Sequence, residues 1–264
     1  MRLSIDHTTR YVYETPVRYS TQYLRLVPTS TARQRVLEWQ LDTPATPIEL
    51  TDGYGNIMHV LTIAGPAKEI VIRSYGTVET TASRDEPRED SGLSPLVFLR
   101  ATSLTRAEGA LMDFAEDYRR RAATLSGLRE LAAAVLDRLP FKSGVTDVES
   151  TALQSFEARC GVCQDHAHVF IASCRYLGVP ARYVSGYVRV PESTEAPVAS
   201  HAWAEAWVVD RWRSFDITNA KPAGENHIRI AIGADYLEAS PVRGVRRGGG
   251  EEQMIASALI APSQ

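Results

Sequence analysis

Alternation of side-chain character at the start of the chain is the feature that most limits its fold. The odd positions of Leu3–Tyr13 form one face, and the even positions of Arg2–Arg10 form a polar opposite face. A period of two is typical of a half-buried strand. Less regular runs of the same kind follow, separated by turn signals such as Asp52-Gly53 and Gly65-Pro66. Short strands between turns predict an all-β, sandwich-like domain over residues 1–78.

The periodicity changes after this region. Residues 79–95 are polar, charged and interrupted by proline, which predicts a linker or an exposed loop. Helical spacing then dominates as far as a run over Cys163–Leu177, and strand-like runs come after it. Helices followed by strands predict an α+β domain over residues 96–264. Near its end we expect a flexible loop at Val242–Gly250 and a last strand at Gln253–Ala261.

The composition excludes several classes of protein. The 264 residues include 29 basic and 32 acidic side chains, for a formal net charge of −3, so nothing favours binding to nucleic acid or to an anionic membrane. Three cysteines are too few for a disulfide scaffold and favour a reducing compartment. The chain shows no secretory leader and no apolar run of membrane length, so we expect a cytoplasmic protein.

The densest group of chemically active residues is R-C-G-V-C-Q-D-H-A-H, residues 159–168. On a helical projection that begins at Cys163, an apolar stripe that includes Cys174 falls within about 80° of Cys163. The Cys163 sulfur is therefore expected to face the interior at the first turn, and Cys174 to be buried and inert. N–H groups at a helix N-terminus stabilise a thiolate and could hold an oxyanion. Gly161 is expected to leave room for a substrate carbonyl.

A zinc site is the competing interpretation of this segment, with Cys160, Cys163 and His166 as ligands and His168 as a fourth. On the same projection His168 lies about 140° from Cys163, towards solvent, which weakens a four-ligand site. The chain has no second pair with zinc-like spacing. A thioredoxin-like redox pair needs a preceding strand, whereas the segment before Cys160 has a helical pattern.

A cysteine nucleophile needs a base, and the base needs an orienting partner. In S-H-A-W-A-E-A-W-V, alternation places His201, Trp203 and Glu205 on one face of a strand and alanines on the other, where a helix can pack closely. Asp216 ends the next strand-like run, and adjacent antiparallel strands could bring it beside His201. Taken together, Cys163, His201 and Asp216 predict a catalytic triad, although each residue alone would be weak evidence.

Four segments of the chain together resemble the bacterial transglutaminase-like family: G-V-C-Q-D-H-A-H, R-Y-V-S-G-Y, S-H-A-W-A-E-A-W and F-D-I-T-N. The opening, H-T-T-R-Y-V-Y-E-T-P-V, and the tail, R-I-A-I-G-A-D-Y-L-E-A-S-P-V-R-G-V, resemble the same proteins, so nearly the whole chain is covered. The resemblance implies a papain-like, transglutaminase-like catalytic core, with helices packed on an antiparallel sheet, after a β-rich N-terminal domain.

The family's functional positions fall on the residues selected above. The resemblance assigns the nucleophile to Cys163, the base to His201 and the third member to Asp216. Ile217 stands where the family motif often has proline. Trp203 and Glu205 match the family pattern, and we expect them to support His201 structurally.

The implied reaction is acyl transfer from an amide through a thioester. Hydrolysis, as by a protease, peptidase or amidase, is expected ahead of transfer to an amine, as by a transglutaminase. The partner is then a protein, peptide or other amide substrate, with no cofactor and no metal, and calcium is not implied because no EF-hand-type loop occurs. A non-catalytic peptide-binding module and a zinc-stabilised structural domain are the alternatives from other classes.

Overall fold

The computed structural model describes residues 1–82, 93–189 and 200–263, and within them the strands form two antiparallel sheets. A 3₁₀ turn spans Pro95–Leu99. The strands are β1 (Arg2–Leu24), β2 (Gln34–Asp42), β3 (Ile48–Thr51), β4 (Ile57–Thr80), β5 (Ala181–Val188), β6 (Ser200–Val208), β7 (Arg211–Phe215), β8 (His227–Gly233), β9 (Val242–Gly248) and β10 (Glu252–Pro262). The helices are α1 (Ala110–Glu116), α2 (Leu125–Arg138), α3 (Ala152–Ala158), α4 (Cys163–Tyr176) and α5 (Tyr236–Ala239).

The first sheet is built on two long neighbouring strands, β1 and β4. The order is β10-β1-β4-β2, with β3 paired to β4 and β9 paired to β1. The register of β1 shifts between Val12 and Val17, where the pairing partner on its outer side changes from β10 to β9. Such irregularities bend a strand. Leu24 and Leu61 from one half of the sheet share a buried cluster with Ile72 from the other, so the β-rich region forms one continuous, bent sheet around its own core.

The end of the chain returns to this first sheet. The final strand predicted at Gln253–Ala261 is confirmed as β10, which pairs with β1 from Leu3 to Tyr13. The flexible loop predicted at Val242–Gly250 is wrong, because Val242–Gly248 forms β9. At Gly244 a Cβ atom would lie 2.5 Å from the Thr21 carbonyl oxygen. The glycine that suggested a loop therefore permits close approach of two strands.

The second sheet has the order β7-β6-β5-β8 and carries the helices. Ala202, Ala204 and Ala206 of β6 are buried in the core cluster that also contains Ala167 and Ile171 of α4. The predicted packing of a helix against the alanine face is therefore confirmed. Strand β8 had not been expected, and it pairs with β5 on the side opposite β6.

Two amide side chains join the sheets at the edge of β8. Gln34 donates to the Arg229 carbonyl at 2.7 Å and accepts from the Arg229 N–H at 2.8 Å. Asn56 makes the same paired contacts with Ile232, at 2.8 and 2.9 Å. An open strand edge exposes unpaired backbone groups. The side chains of the first region therefore satisfy the edge of the second sheet as a neighbouring strand would.

The predicted linker at residues 79–95 is only partly visible. Its first two residues complete β4, and residues 83–92 lie outside the described residues. The division of the chain into residues 1–78, 79–95 and 96–264 stays a prediction, although strand pairing places residues 242–262 beside β1. None of the described helices is long and apolar enough to cross a membrane.

The Arg175 guanidinium fixes the last turn of α4 against its surroundings. It is 7% exposed and donates to the carbonyls of Phe98, Ala181 and Ala234 and to the Thr105 hydroxyl. These acceptors belong to the 3₁₀ turn, the start of β5, the segment after β8 and the loop before α1. One buried cation therefore links four segments around the helix that begins at Cys163.

We predict that Arg175→Met lowers the free energy of unfolding by about 3 kcal/mol or more, because several buried carbonyls lose a charged donor. Arg119→Met is the matched control, since its ion pair with Glu116 is about half exposed and should contribute little to stability. Urea unfolding followed by circular dichroism measures both variants. Equal stability losses would contradict the role given to Arg175.

Candidate active site

Helix α4 begins at Cys163, as the sequence predicts, and Asp165 fixes its first turn. The Asp165 carboxylate accepts from the Val162 N–H at 2.8 Å, the Thr146 hydroxyl at 2.7 Å and the Ser155 hydroxyl at 2.6 Å. An acidic residue three positions after the N-cap satisfies backbone donors and complements the helix dipole. Cys163 is partly exposed at this N-terminus and forms no disulfide bond.

The space beside Gly161 is filled by the protein itself. A Cβ atom at Gly161 would lie 2.6 Å from the Asp165 Cβ and 2.7 Å from its Oδ2. The expectation that this glycine leaves room for a substrate carbonyl is therefore wrong. Gly161 instead lets the capping carboxylate fold back over the chain that precedes α4.

His166 connects the helix of Cys163 to the loop of Asp216. Its Nε2–H donates to the Leu139 carbonyl at 2.7 Å, which leaves Nδ1 to accept from the Thr218 hydroxyl at 2.8 Å. Burial lowers the pKa of His166, against the opposing effect of the Leu139 carbonyl. The ring is thus a neutral structural link.

The structure brings the three predicted site residues together. His201 Nε2 lies 3.0 Å from Asp216 Oδ1. Cys163 is close enough to the same imidazole to raise its pKa through a side-chain interaction. Strands β6 and β7 are antiparallel neighbours, and Asp216 directly follows β7. The order cysteine, imidazole, carboxylate is the arrangement that activates a thiol nucleophile.

The Asp216 carboxylate is buried and surrounded by donors. Besides His201 it accepts from His227 Nε2 at 2.8 Å, from the Asn219 amide at 2.7 Å and from the Asn219 N–H at 3.2 Å. Burial alone would raise the pKa of Asp216, but hydrogen bonds from His201 and His227 outweigh burial and hold that pKa far below its ordinary value. Asp216 is therefore a permanent negative charge in the interior.

His201 is held in its charged form. Burial alone would lower the pKa of His201, but the hydrogen bonds to Asp216 and Cys163 and the charge of Asp216 raise it to about 9. A pKa that is higher in the folded than in the unfolded chain stabilises the fold. That contribution is complete below about pH 6.5 and is lost as the pH rises through about 9.

His168 does not point to solvent as the helical projection predicts. It is fully buried, and its Nε2 accepts from the Tyr236 N–H at 3.1 Å. Burial lowers its pKa to about 3. The projection failed because the residues of α4 from Gln164 to Arg175 are all buried, so this helix has no solvent face along that length.

Metal ligation fits this region poorly. Among the described residues, the one group of three close potential ligands is His201, Asp216 and His227. The four residues of the zinc interpretation do not form such a group. The histidine nitrogens lie 2.8 and 3.0 Å from the carboxylate oxygens. Two ligands of a tetrahedral zinc ion stand about 3.3 Å apart. The observed N···O distances are those of hydrogen bonds.

The residues expected to support His201 divide between two roles. Trp203 packs against His201 with ring centroids 6.2 Å apart and edge-on against His227 at 5.4 Å. Glu205 instead accepts from the buried Arg182 at 2.7 Å. Trp203 therefore packs against both imidazoles at the site, whereas Glu205 neutralises a cation elsewhere on the sheet.

The other cysteines differ from Cys163 in position. Cys174 is fully buried, and burial raises its pKa far above the ordinary value, as expected for an inert thiol. Cys160 is partly exposed in the connection between α3 and α4. Ile217, at the position of the family's proline, is buried in the core below the site.

Sequence reasoning missed His227, Asn219 and Asp165 as parts of the site. Asp165 had a visible signal, the capping position three residues into a helix. Asn219 lies in the polar segment D-I-T-N, whose composition is also typical of a simple turn. His227 begins the alternating run H-I-R-I-A-I-G, which is typical of a strand but was not assigned to one.

Comparison with known proteins matches two regions of the chain to families. The bacterial transglutaminase-like N-terminal region matches residues 3–79, and the transglutaminase-like superfamily matches residues 113–217. An uncharacterized protein of Mycobacterium leprae is 31% identical over 272 residues, 94% of each chain. Another, from Mycobacterium tuberculosis, is 28% identical over 283 residues, 96% of this chain and 90% of its own.

A solved structure shares the fold. A crystal structure from Cytophaga hutchinsonii, provisionally described as a cysteine protease, superposes with a TM-score of 0.81 at 23% identity. It covers 99% of this chain and 90% of that one. The agreement extends over both sheets and supports the predicted fold class, a β-rich N-terminal region with an α+β, transglutaminase-like core.

We predict that the His201 imidazole titrates near pH 9 in the wild-type protein and at a clearly lower pH in Asp216→Asn, where only Cys163 still opposes the effect of burial. NMR of the imidazole resonances measures both values. His7 is an internal control, because burial lowers its pKa to about 4 and its ring contacts Tyr187, not Asp216. A His201 titration that stays near pH 9 in Asp216→Asn would contradict the assigned electrostatics.

Proposed function

Because the chain belongs to the transglutaminase-like superfamily, we propose that it is an enzyme that transfers the acyl group of an amide through Cys163. The observation that carries the proposal is His201, which lies 3.0 Å from Asp216 and interacts with Cys163 at the N-terminus of α4. A thiolate beside an imidazolium is the reactive form of cysteine. Hydrolysis is the favoured outcome, and transfer to an amine is the alternative.

Acylation follows from the roles of the three residues. The Cys163 thiolate attacks the carbonyl carbon and forms the carbon–sulfur bond. The His201 imidazolium gives its proton to the departing nitrogen as the carbon–nitrogen bond breaks. The result is a thioester on Cys163, a free amine or ammonia, and a neutral His201.

Deacylation restores the starting state. Neutral His201 takes a proton from water, the resulting hydroxide attacks the thioester carbon, and the carbon–sulfur bond breaks to release the acid. Cys163 leaves as a thiolate and His201 is again an imidazolium. An amine in place of water would give a new amide by the same route, which is the transglutaminase outcome.

The partial positive charge at the N-terminus of α4 and the negative charge of Asp216 support these steps. The helix N-terminus places backbone N–H groups, including that of Cys163, near the developing oxyanion. Asp216 stabilises the imidazolium and holds its Nε2. The Val162 N–H is committed to Asp165, so we place the oxyanion donors at Cys163 and beyond.

We predict that Cys163→Ala lowers turnover of an amide substrate by at least about a thousandfold while the protein remains folded. A practical assay incubates casein with and without a fluorescent primary amine. New amino termini, or glutamate formed from glutamine, report hydrolysis, and labelled casein reports transfer. Cys160→Ala is the matched control and should retain activity within a fewfold.

The outcomes separate the alternatives. Hydrolysis that survives Cys163→Ala would overturn the nucleophile assignment. Labelled casein without hydrolysis products would favour the transglutaminase alternative. Casein binding with no reaction in the wild-type protein, together with a Cys163 that shows no enhanced reactivity, would favour a peptide-binding module.

A further inference from the structure

A second histidine contacts the acidic member of the site from the side opposite His201. His227 is the first residue of β8, is 7% exposed, and lies with Nε2 2.8 Å from Asp216 Oδ2. His201 holds the other carboxylate oxygen, Oδ1. The carboxylate therefore lies between two imidazoles.

Backbone contacts fix the tautomer of His227. The ring Nδ1 of His227 accepts from the Gly224 backbone N–H at 3.1 Å. The backbone N–H of His227 donates to the Gly224 carbonyl at 2.9 Å. A neutral imidazole that accepts at Nδ1 carries its proton on Nε2. That proton points at Asp216, so the ring is a donor of fixed direction.

The electrostatic setting keeps His227 neutral. Burial lowers its pKa, the hydrogen bond and charge of Asp216 oppose burial, and the nearby charge of His201 lowers the pKa further. Lys221 acts in the same direction. Of the two imidazoles that contact Asp216, His201 is therefore cationic and His227 is a neutral donor.

Loss of this donor would change the carboxylate in two ways. Oδ2 would keep only the Asn219 amide as a side-chain donor. A buried carboxylate with fewer donors is less stable in its ionised form, so the pKa of Asp216 would rise. The carboxylate would also be freer to rotate away from His201. Trp203, packed edge-on at 5.4 Å, holds the His227 ring against such motion.

We propose that His227 is a positioning residue that orients and keeps ionised the Asp216 carboxylate, so that the reactive pair of Cys163 and His201 extends into a four-residue series. The inference rests on the proposed function, since it concerns the same nucleophile. His227 does not touch the reacting atoms, so its effect must pass through Asp216 and His201.

The test uses two amides that differ by one methylene group. In His227→Gln the amide nitrogen reaches the position of Nε2 and can still donate to Asp216. In His227→Asn the amide falls at the position of Nδ1 and does not reach. His168→Asn applies the same change to a buried histidine that contacts Tyr236 instead.

The readout is the rate at which iodoacetamide alkylates Cys163 at pH 6 and at pH 9, followed by mass spectrometry of its peptide. At pH 6 the thiolate depends on the ion pair, whereas at pH 9 an ordinary thiol is largely ionised. We expect His227→Asn to slow the pH 6 reaction about tenfold or more and to leave the pH 9 rate within about threefold. His227→Gln and His168→Asn should keep the wild-type ratio of the two rates.

Each result decides the inference. A wild-type ratio in His227→Asn would overturn it, and so would an equal change in His168→Asn, which would make the effect one of general stability. A wild-type protein that is not alkylated rapidly at pH 6 would overturn the proposed function as well. Thermal melting checks folding of each variant, and His227→Leu replaces His227→Asn if the latter does not fold.

Discussion

The organisation of the site depends on one buried negative charge. The Asp216 side chain has no solvent exposure, and removal of a carboxylate from water costs several kcal/mol unless donors replace the lost hydration. The replacements are His201 from β6, His227 from β8, and the Asn219 amide and N–H from the turn after β7. Two strands and a turn therefore converge on a single carboxylate, and the charge that they stabilise is the one that holds His201 as an imidazolium.

Helix α4 brings the nucleophile to that charge. Its alanine contacts with β6 set how closely the helix approaches the sheet, and His166 ties its first turn to Thr218, two residues beyond Asp216. Arg175 holds its far end. The position of Cys163 is thus fixed by packing along the helix and by polar contacts at both ends, which is what a reactive geometry requires.

Much of this arrangement could be predicted from the sequence, because it follows from the local periodicity of apolar and polar side chains. The alternation at Leu3–Tyr13, the helix from Cys163 and the alanine face of β6 each follow from side-chain spacing. The order of Cys163, His201 and Asp216 in these elements was enough to select them as a candidate triad. Their close approach depends on tertiary packing, which the structure shows and the spacing of residues does not.

The failures have physical causes that a single sequence does not display. Glycines at 244 and 248–250 suggested a loop, but β9 takes its regularity from pairing with β1, far away in the chain. His168 projected to solvent because the projection assumes one buried face, whereas α4 is surrounded. His227 was missed because its significance lies in its contact with Asp216, which depends on a strand that was not assigned.

The most direct test of the account is whether Cys163 accepts an acyl group. We would mix the protein with p-nitrophenyl acetate at pH 7, follow the release of p-nitrophenol and map the acetyl group by mass spectrometry. The account predicts a burst of about one equivalent, with the acetyl group on Cys163 and not on Cys160, and loss of the burst in His201→Ala. Release without a burst, or acetylation confined to other residues, would contradict it.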